Sequence, residues 1–279
     1  MHLVDTHQHL WDLKQFPYSW TNGIPALHRT FTIADYEAAA AGSGITKTVF
    51  MECDVDEPHA LDEARHVQML AGRHPLIAGI VASGRPEHEG FRAHLEQLAL
   101  LPKVRGLRRV LHTQPDTLSQ SARFRENLNL LPEFGFTFDL CLLARQLPVG
   151  RELVRACPKV AFILDHCGVP DVKARAFDPW RDEIRELAAL PNLAACKISG
   201  LVAYADPATW TVDDLRPWVE HVIECFGWDR VVWGGDWPVC TLSAPLARWV
   251  EATRELTHTV TTEQRARLFH ANAERIYRV

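Results

Sequence analysis

The sequence predicts a (β/α)8 barrel, also called a TIM barrel. Short runs of apolar and β-branched residues alternate with longer amphipathic stretches along the whole chain. Several of the short runs are almost continuously apolar, which is typical of parallel strands that are covered on both faces. Eight such strand–helix units fit into the 279 residues, as this fold requires. A doubly wound open sheet is the alternative architecture.

Each predicted strand is rich in aliphatic and β-branched side chains and is bounded by polar or turn-forming residues. Between the strands, apolar residues recur at helical spacing. The predicted strands are Leu3–His9, Thr46–Glu52, Leu76–Ala82, Val104–Leu111, Phe136–Leu143, Val160–Leu164, Leu193–Ser199 and Arg230–Gly234. The predicted helices are Leu61–Gly72, Phe91–Leu101, Pro179–Leu190, Leu215–Phe226, Pro245–Leu256 and a last one, capped by Thr262-Glu263, that runs to Tyr277.

Composition and charge exclude several classes of protein. A net charge of -5 gives no reason to expect nucleic acid or an acidic membrane surface as a partner. No apolar run approaches the roughly 20 residues that span a bilayer, and the N-terminus reads as a strand rather than a signal peptide. Seven cysteines at wide, irregular spacing are typical of reduced thiols in a cytoplasmic protein. The absence of a linker-like segment predicts one domain over residues 1–279.

The first predicted strand ends in a His-x-His pair, His7 and His9. Alternate side chains of a strand point to the same face, so the two imidazoles are expected to lie side by side. Such a pair can supply two nitrogen ligands to a divalent metal or two donors to a carbonyl oxygen.

Polar side chains recur at the carboxyl ends of the other predicted strands, where barrels of this class carry their chemistry. For Asp5, Asp139, Asp165 and Lys197, a purely structural pairing explains the residue equally well. The further polar residues at these ends are Glu52, Arg108, His112, His166, Ser199 and Asp236.

Five segments of the chain resemble the amidohydrolase superfamily, and most closely its amidohydrolase-2 branch, which includes sugar-acid lactonases and pyrone dicarboxylate lactonases. The resemblance extends from the first strand to the last helix. The segments are Asp5-Thr6-His7-Gln8-His9-Leu10-Trp11-Asp12, Gly106-Leu107-Arg108-Arg109, Ile163-Leu164-Asp165-His166-Cys167-Gly168, Lys197-Ile198-Ser199-Gly200-Leu201 and Gly234-Gly235-Asp236-Trp237-Pro238.

The resemblance implies a (β/α)8 barrel with His7, His9, His166 and Asp236 in the active site. It also implies a single divalent metal, Zn²⁺, that some members of the branch do not need for turnover. No lysine ends the fourth or fifth strand to bridge two metals, so we do not expect a binuclear centre.

Hydrolysis of a lactone needs a nucleophilic water, a polarised carbonyl and a proton for the leaving alkoxide. Asp236 is the candidate for taking the proton from water and returning it to the ring oxygen. His7, His9 and His166 either hold one Zn²⁺ together with Asp236 or donate to the carbonyl oxygen directly. Glu52 is either a further metal ligand or a solvated charge at a strand end.

The predicted substrate-binding residues are cationic, polar or aromatic. Arg108 either binds an anionic or hydroxyl-rich substrate or pairs with a nearby carboxylate. Indole rings can stack against the C–H face of a sugar, although aromatic residues beside such loops often only pack. The other predicted substrate-binding residues are His112, Ser199, Trp11, Trp20 and Trp237.

The leading hypothesis is therefore a lactonase that opens an aldonolactone such as L-fucono-1,5-lactone or L-rhamnonolactone. The few cationic strand-end residues argue against a dicarboxylate lactone as substrate. One alternative is a Zn²⁺-dependent decarboxylase of the same superfamily, and another is a barrel that binds a ligand without catalysis. The expected partner is a small-molecule sugar lactone, and the sequence leaves a homo-oligomer open.

Overall fold

The computed structural model describes residues 2–279. Eight parallel strands follow one another in chain order in a single sheet, with helices on its outer face. Parallel neighbours need a crossover connection, which the intervening helices provide. The strands are β1 (Leu3–Gln8), β2 (Ile45–Met51), β3 (Ile77–Ser83), β4 (Val104–Val110), β5 (Thr137–Cys141), β6 (Phe162–Leu164), β7 (Leu193–Ile198) and β8 (Val231–Trp233).

Contacts between β1 and the end of β8 bring the sheet nearly to closure. The Thr6 hydroxyl donates to the carbonyl oxygen of Trp233 at 2.7 Å. Just beyond β8, the amide of Asp236 donates to the carbonyl oxygen of His7, and the amide of His9 donates to that of Trp237, both at 2.8 Å. The predicted barrel is thereby confirmed and the open-sheet alternative is excluded.

Eleven helices and one π-helical turn, Arg267–Ala271, lie between and after the strands of residues 2–279. Each predicted helix is present within a few residues of its expected bounds, the last being divided by the π-helical turn. The helices are α1 (Ile33–Ala40), α2 (Ala60–Arg73), α3 (Phe91–Ala99), α4 (Ala122–Leu128), α5 (Leu131–Phe134), α6 (Leu147–Ala156), α7 (Trp180–Ala188), α8 (Val212–Phe226), α9 (Leu246–Leu256), α10 (Thr262–Ala266) and α11 (Asn272–Tyr277).

Four of these helices, α1, α4, α5 and α6, are not among those predicted. In α6, Pro148 and Gly150 read as helix breakers. Proline is tolerated in the first turn of a helix because the amide there needs no helical partner. A Cβ at Gly150 would lie 2.3 Å from a methyl group of Leu142, so this glycine lets the helix approach the chain after β5.

The floor of the barrel is an apolar layer that the last helix closes. Ala273 and Tyr277 of α11 pack against strand side chains that point into the barrel. Packed layers of side chains fill the interior of such barrels, so the floor is solid rather than a pore. The strand residues of this layer are Val4, Val49, Met51, Val81, Ile163, Ala195 and Val232.

Asp5 fastens β1 to the segment after β8. Its buried carboxylate accepts from the amide of Gly235 at 2.7 Å and the amide of His7 at 3.0 Å. It also accepts from the hydroxyl of Tyr36 in α1 at 2.7 Å. Asp5 therefore has the structural role that the sequence left open for it.

No helix among residues 2–279 is long and apolar enough to cross a membrane. The seven cysteines form no disulfide in this part of the chain, and six of them are buried.

We expect Tyr36→Phe to lower the free energy of unfolding by about 1–3 kcal/mol, because it leaves a buried carboxylate short of one donor. Urea denaturation would measure the change. Tyr204→Phe is the matched control, since the Tyr204 hydroxyl makes no hydrogen bond within residues 2–279. Equal losses of stability in the two variants would contradict the role given to the Tyr36 hydroxyl.

Candidate active site

A cavity of about 350 Å³ opens at the carboxyl ends of the strands. Its lining combines polar and apolar side chains. Such a mixed, concave site is the usual form of a small-molecule binding pocket. Its lining residues are His9, Trp11, Trp20, Ile24, Leu27, Cys53, Asp54, Arg108, Val110, His112, Thr113, Cys141, His166, Tyr204, Asp236, Val239 and Leu242.

The structure brings the His-x-His pair to one carboxylate. The Nε2 atoms of His7 and His9 lie 3.7 and 3.5 Å from the same oxygen of Asp236. Nδ1 of His9 lies 2.9 Å from the carbonyl oxygen of Met51, which can only accept, so this nitrogen carries the proton. In this tautomer the lone pair of His9 is on Nε2, which faces the pocket.

His7 lies beneath the pocket, fully buried. Its Nε2 is 3.2 Å from a guanidinium nitrogen of Arg108. Nδ1 lies 3.2 Å from the ammonium of Lys197 and 3.6 Å from a carboxylate oxygen of Asp165. Because arginine and lysine only donate, a donor faces each ring nitrogen of His7. Burial, followed by the positive charge of Lys197, lowers the pKa of His7 well below its ordinary value, so the ring is neutral.

His166 is held in a strained turn beside the other two imidazoles. Its ring centre lies 4.4 Å from that of His7, and its backbone has a φ of 54°. Non-glycine residues rarely adopt this left-handed conformation, and they do so mostly at functional sites. A Cβ at Gly200 would lie 2.6 Å from Nδ1 of His166, so glycine is needed where β7 ends.

Asp236 is held in the same backbone region as His166, with a φ of 55°. Its amide donates to the carbonyl oxygen of His7, and its own carbonyl oxygen accepts from the amide of Cys240, each at 2.8 Å. These two bonds fix the backbone on both sides of the carboxylate. The turn that follows β8, and not the strand itself, therefore orients the Asp236 side chain towards the two imidazoles.

A buried charge network lies under the histidines. The ammonium of Lys197 is 2.7 Å from a carboxylate oxygen of Asp139 and 2.8 Å from one of Asp165. The same oxygen of Asp139 accepts from the hydroxyl of Tyr277 at 2.7 Å. Burial alone would raise the pKa of Asp165, but the charge of Lys197 and the interactions with His7 and His166 together outweigh burial and hold that pKa well below its usual range. Asp165 is therefore ionised.

Glu52 does not lie where a ligand of the metal site would lie, which was one of the two roles that the sequence allowed for it. One carboxylate oxygen accepts from Nε of Arg108 at 2.6 Å, and the other accepts from the amide of Asp54 at 2.8 Å. Both oxygens are therefore engaged away from the imidazoles. Glu52 is the partner of Arg108, which lines the pocket but is itself buried and paired.

Two further predicted substrate-binding residues lie outside the cavity lining. Ser199 is fully buried, and its hydroxyl lies 2.9 Å from Nδ1 of His166, so it orients that ring. Trp237 is 3% exposed and packs edge-on against Phe31 and Tyr36, with ring centres 5.4 Å apart in each pair. Trp237 belongs to the packing that supports the site.

Trp11, Trp20 and His112 do line the cavity. The indole nitrogens of Trp11 and Trp20 donate at 2.7 Å to the carbonyl oxygens of Arg29 and Cys53, which fixes both rings. Burial first, and then the charge of Arg108, lowers the pKa of His112 to about 4, so this ring is neutral at physiological pH.

The sequence missed several residues that line the cavity. The polar ones are Asp54, Thr113 and Tyr204, which lie in loops after β2, β4 and β7. Loop positions carry no side-chain periodicity, so only their closeness to a strand end could have indicated them. The missed apolar residues include four aliphatic side chains, which together we call the apolar wall: Ile24, Leu27, Val239 and Leu242.

The donor atoms present suit a divalent transition metal. One nitrogen each of His7 and His9 and one oxygen of Asp236 all lie within 4.8 Å of one another. His7, His166 and Asp165 form a second group of the same compactness. Imidazole nitrogen with one carboxylate oxygen is a ligand set typical of catalytic zinc, and the free lone pair of His9 is available for it.

Comparison with known proteins gives consistent relatives over the full length. An L-fucono-1,5-lactonase of Burkholderia ambifaria is 28% identical, and the alignment covers 99% of this chain and 95% of that protein. An L-rhamnono-gamma-lactonase of Scheffersomyces stipitis is 22% identical, with 99% and 98% covered.

Among solved structures, an amidohydrolase from Burkholderia multivorans with bound zinc is similar over all of both chains. Its TM-score is 0.89 at 25% sequence identity. The family model described as Amidohydrolase matches residues 4–279. The chain belongs to the amidohydrolase family.

Proposed function

We propose that this chain hydrolyses the lactone of a sugar acid, with L-fucono-1,5-lactone or L-rhamnonolactone as the best candidate. The observation that carries the proposal is the arrangement of one carboxylate, Asp236, with the imidazoles of His7 and His9 at a cavity that has both polar and apolar lining residues. The names of the full-length relatives support the same reaction.

Asp236 does the proton transfers in this mechanism. Its carboxylate takes a proton from the attacking water and later returns it to the ring oxygen as the carbonyl–oxygen bond breaks. With its proton on Nδ1, His9 can accept a hydrogen bond from the same water at Nε2, which lies 3.5 Å from Asp236. Water is thereby oriented from two sides.

His166 and Arg108 face the developing charge on the carbonyl oxygen. The Ser199 hydroxyl can donate to Nδ1 of His166, which places the ring proton on Nε2 as a donor into the pocket. Arg108 supplies a fixed positive charge beside it, held in place by Glu52. Donors that are already oriented towards the position of the oxyanion lower the barrier most effectively.

A metal, if bound, would be held by His7, His9 and Asp236, and it would polarise the carbonyl and acidify water. The chain also places the guanidinium of Arg108 3.2 Å from Nε2 of His7, a ligand atom of that group. This cation opposes a dication at the same nitrogen. A lactone is also more reactive than an amide, so the chain's own groups suffice for the hydrolysis.

The apolar wall supports a deoxy sugar acid as substrate. L-Fucono- and L-rhamnonolactone carry a methyl group where the parent hexonolactones carry a hydroxymethyl group. Ile24, Leu27, Val239 and Leu242 offer that methyl apolar surface within the same cavity as the polar groups. Arg108 is the only arginine or lysine lining the cavity within residues 2–279, which argues against a dicarboxylate.

We expect Asp236→Asn to keep the fold and to lower kcat by on the order of 10²–10⁴-fold, the usual range for a positioned acid–base group. A pH-indicator assay measures the acid that lactone opening releases, whereas a decarboxylation would consume protons. Asp206→Asn is the control, because Asp206 is exposed and lies away from the cavity. Near wild-type turnover in Asp236→Asn would remove this residue from the mechanism.

Exhaustive chelation tests whether hydrolysis depends on a bound metal. We expect the site to bind one Zn²⁺ and turnover to change little when it is removed, because the proton transfers and the oxyanion contacts are made by side chains. The metal content must be measured in the same sample as the activity. Complete loss of turnover, restored by one equivalent of Zn²⁺, would show that hydrolysis depends on the metal.

The apolar wall predicts a preference for the 6-deoxy substrate. We expect kcat/KM for L-fucono-1,5-lactone to exceed that for L-galactono-1,5-lactone by roughly 10–200-fold, the range that one small group commands in an apolar pocket. Val239→Thr keeps the shape of the side chain but adds a hydroxyl, and it should narrow the ratio. If this variant hydrolysed both lactones with an unchanged ratio of kcat/KM, the apolar wall would not determine the choice of substrate.

A further inference from the structure

A second group of metal-ligating side chains lies at the opposite end of the barrel from the pocket. His2 immediately precedes β1, His270 lies in the π-helical turn, and Glu274 lies in α11, one helical turn later. One nitrogen of each histidine and one oxygen of the glutamate all lie within 4.8 Å of one another. The two imidazole ring centres are 3.9 Å apart.

The separations within this group fit ligands of one ion better than hydrogen bonds. Nε2 of His2 lies 3.8 Å from Oε1 of Glu274, and Nδ1 of His270 lies 3.7 Å from Oε2. Both are longer than a hydrogen bond. Two atoms bound at about 2.1 Å to one tetrahedral zinc lie roughly 3.4 Å apart, so a small inward shift brings Nδ1 of His270 and Oε2 of Glu274 to that separation.

His270 also has an unsatisfied ring nitrogen. Its Nδ1 is buried and has no hydrogen-bond partner within residues 2–279. Buried polar atoms are nearly always paired, so an unpaired one needs an explanation.

We propose that His2, His270 and Glu274 form a second site for a divalent transition metal such as Zn²⁺, with water as the fourth ligand. A set of two imidazoles and one carboxylate binds such transition-metal ions in preference to calcium or magnesium. This site is separate from the candidate active site and does not depend on the proposed reaction.

Lys47 is the competitor for this site. Its ammonium lies 2.8 Å from Oε1 of Glu274, so it neutralises the carboxylate that the metal would use. Oε2 of the same carboxylate makes no hydrogen bond within residues 2–279 and stays available. The ammonium would therefore contact one oxygen of Glu274 and the metal the other. The two positive charges would repel each other.

A metal ion at this site would link the first strand of the chain to its last helix. It would join the residue before β1 to α11, the helix whose Tyr277 closes the barrel floor. A ligand that binds only the folded chain raises its stability in proportion to the logarithm of the free ligand concentration. The expected role is therefore stabilisation without any effect on turnover.

Zinc titration of the whole chain, with thermal unfolding as a second readout, tests the proposal. We expect His270→Ala to bind one Zn²⁺ fewer than the wild type and to lose the zinc-dependent rise in Tm, while its turnover stays unchanged. Zinc affinity at this site should fall by more than the roughly 10–100-fold that loss of an outer-shell partner costs. His258→Ala is the matched control, because His258 is an exposed histidine whose ring hydrogen-bonds only the carbonyl oxygen of Glu255 among residues 2–279.

Lys47→Met gives the opposite prediction, since it removes the competing charge and should tighten zinc binding. Glu274→Gln removes the anionic ligand and serves as the second test if His270→Ala folds poorly. Co²⁺ in place of Zn²⁺ reports the ligand geometry through its visible absorption. The proposal would be overturned if the wild type, His270→Ala and Glu274→Gln had equal zinc content and equal Tm shifts. It would also be overturned if Lys47→Met bound zinc no more tightly than the wild type does.

Discussion

The arrangement of the site depends on one ammonium group that has no access to water. Lys197 is fully buried, and removing its charge from solvent is tolerable only because Asp139 and Asp165 lie within 2.8 Å of it. The same network sets the neighbours of His7, whose two ring nitrogens face Lys197 on one side and Arg108 on the other. An imidazole whose two nitrogens are both flanked by cations stays neutral and cannot rotate freely.

The three imidazoles differ because their buried partners differ. His9 is fixed as an acceptor towards the pocket by the carbonyl oxygen of Met51, which can only accept. His166 faces the hydroxyl of Ser199, which both donates and accepts, so this ring can exchange the roles of its nitrogens without moving. One polar pocket thus contains an acceptor of fixed direction and a donor that can adapt, beside the carboxylate of Asp236.

The sequence predicted the fold well because strand runs covered on both faces are nearly continuous in apolar residues. It also indicated His7, His9, His166 and Asp236, because barrel geometry brings strand ends together whatever their separation in sequence. It could not predict which polar residue pairs with which. Glu52 pairs with Arg108, and Trp237 packs behind the site, because of distances between strands that no periodicity encodes. The helix with Pro148 and Gly150 escaped prediction because tertiary packing overrides local propensity there.

The closure of the barrel floor by Tyr277 has a consequence for the order of events during synthesis. All eight strands precede α11 in the chain, so they leave the ribosome while Asp139 still lacks the Tyr277 hydroxyl. The apolar layer beneath the charge network also remains open to water until that helix arrives. Translation therefore completes the lining of the pocket before it completes the support beneath it, and the nascent barrel acquires its final internal electrostatics only when its last helix docks.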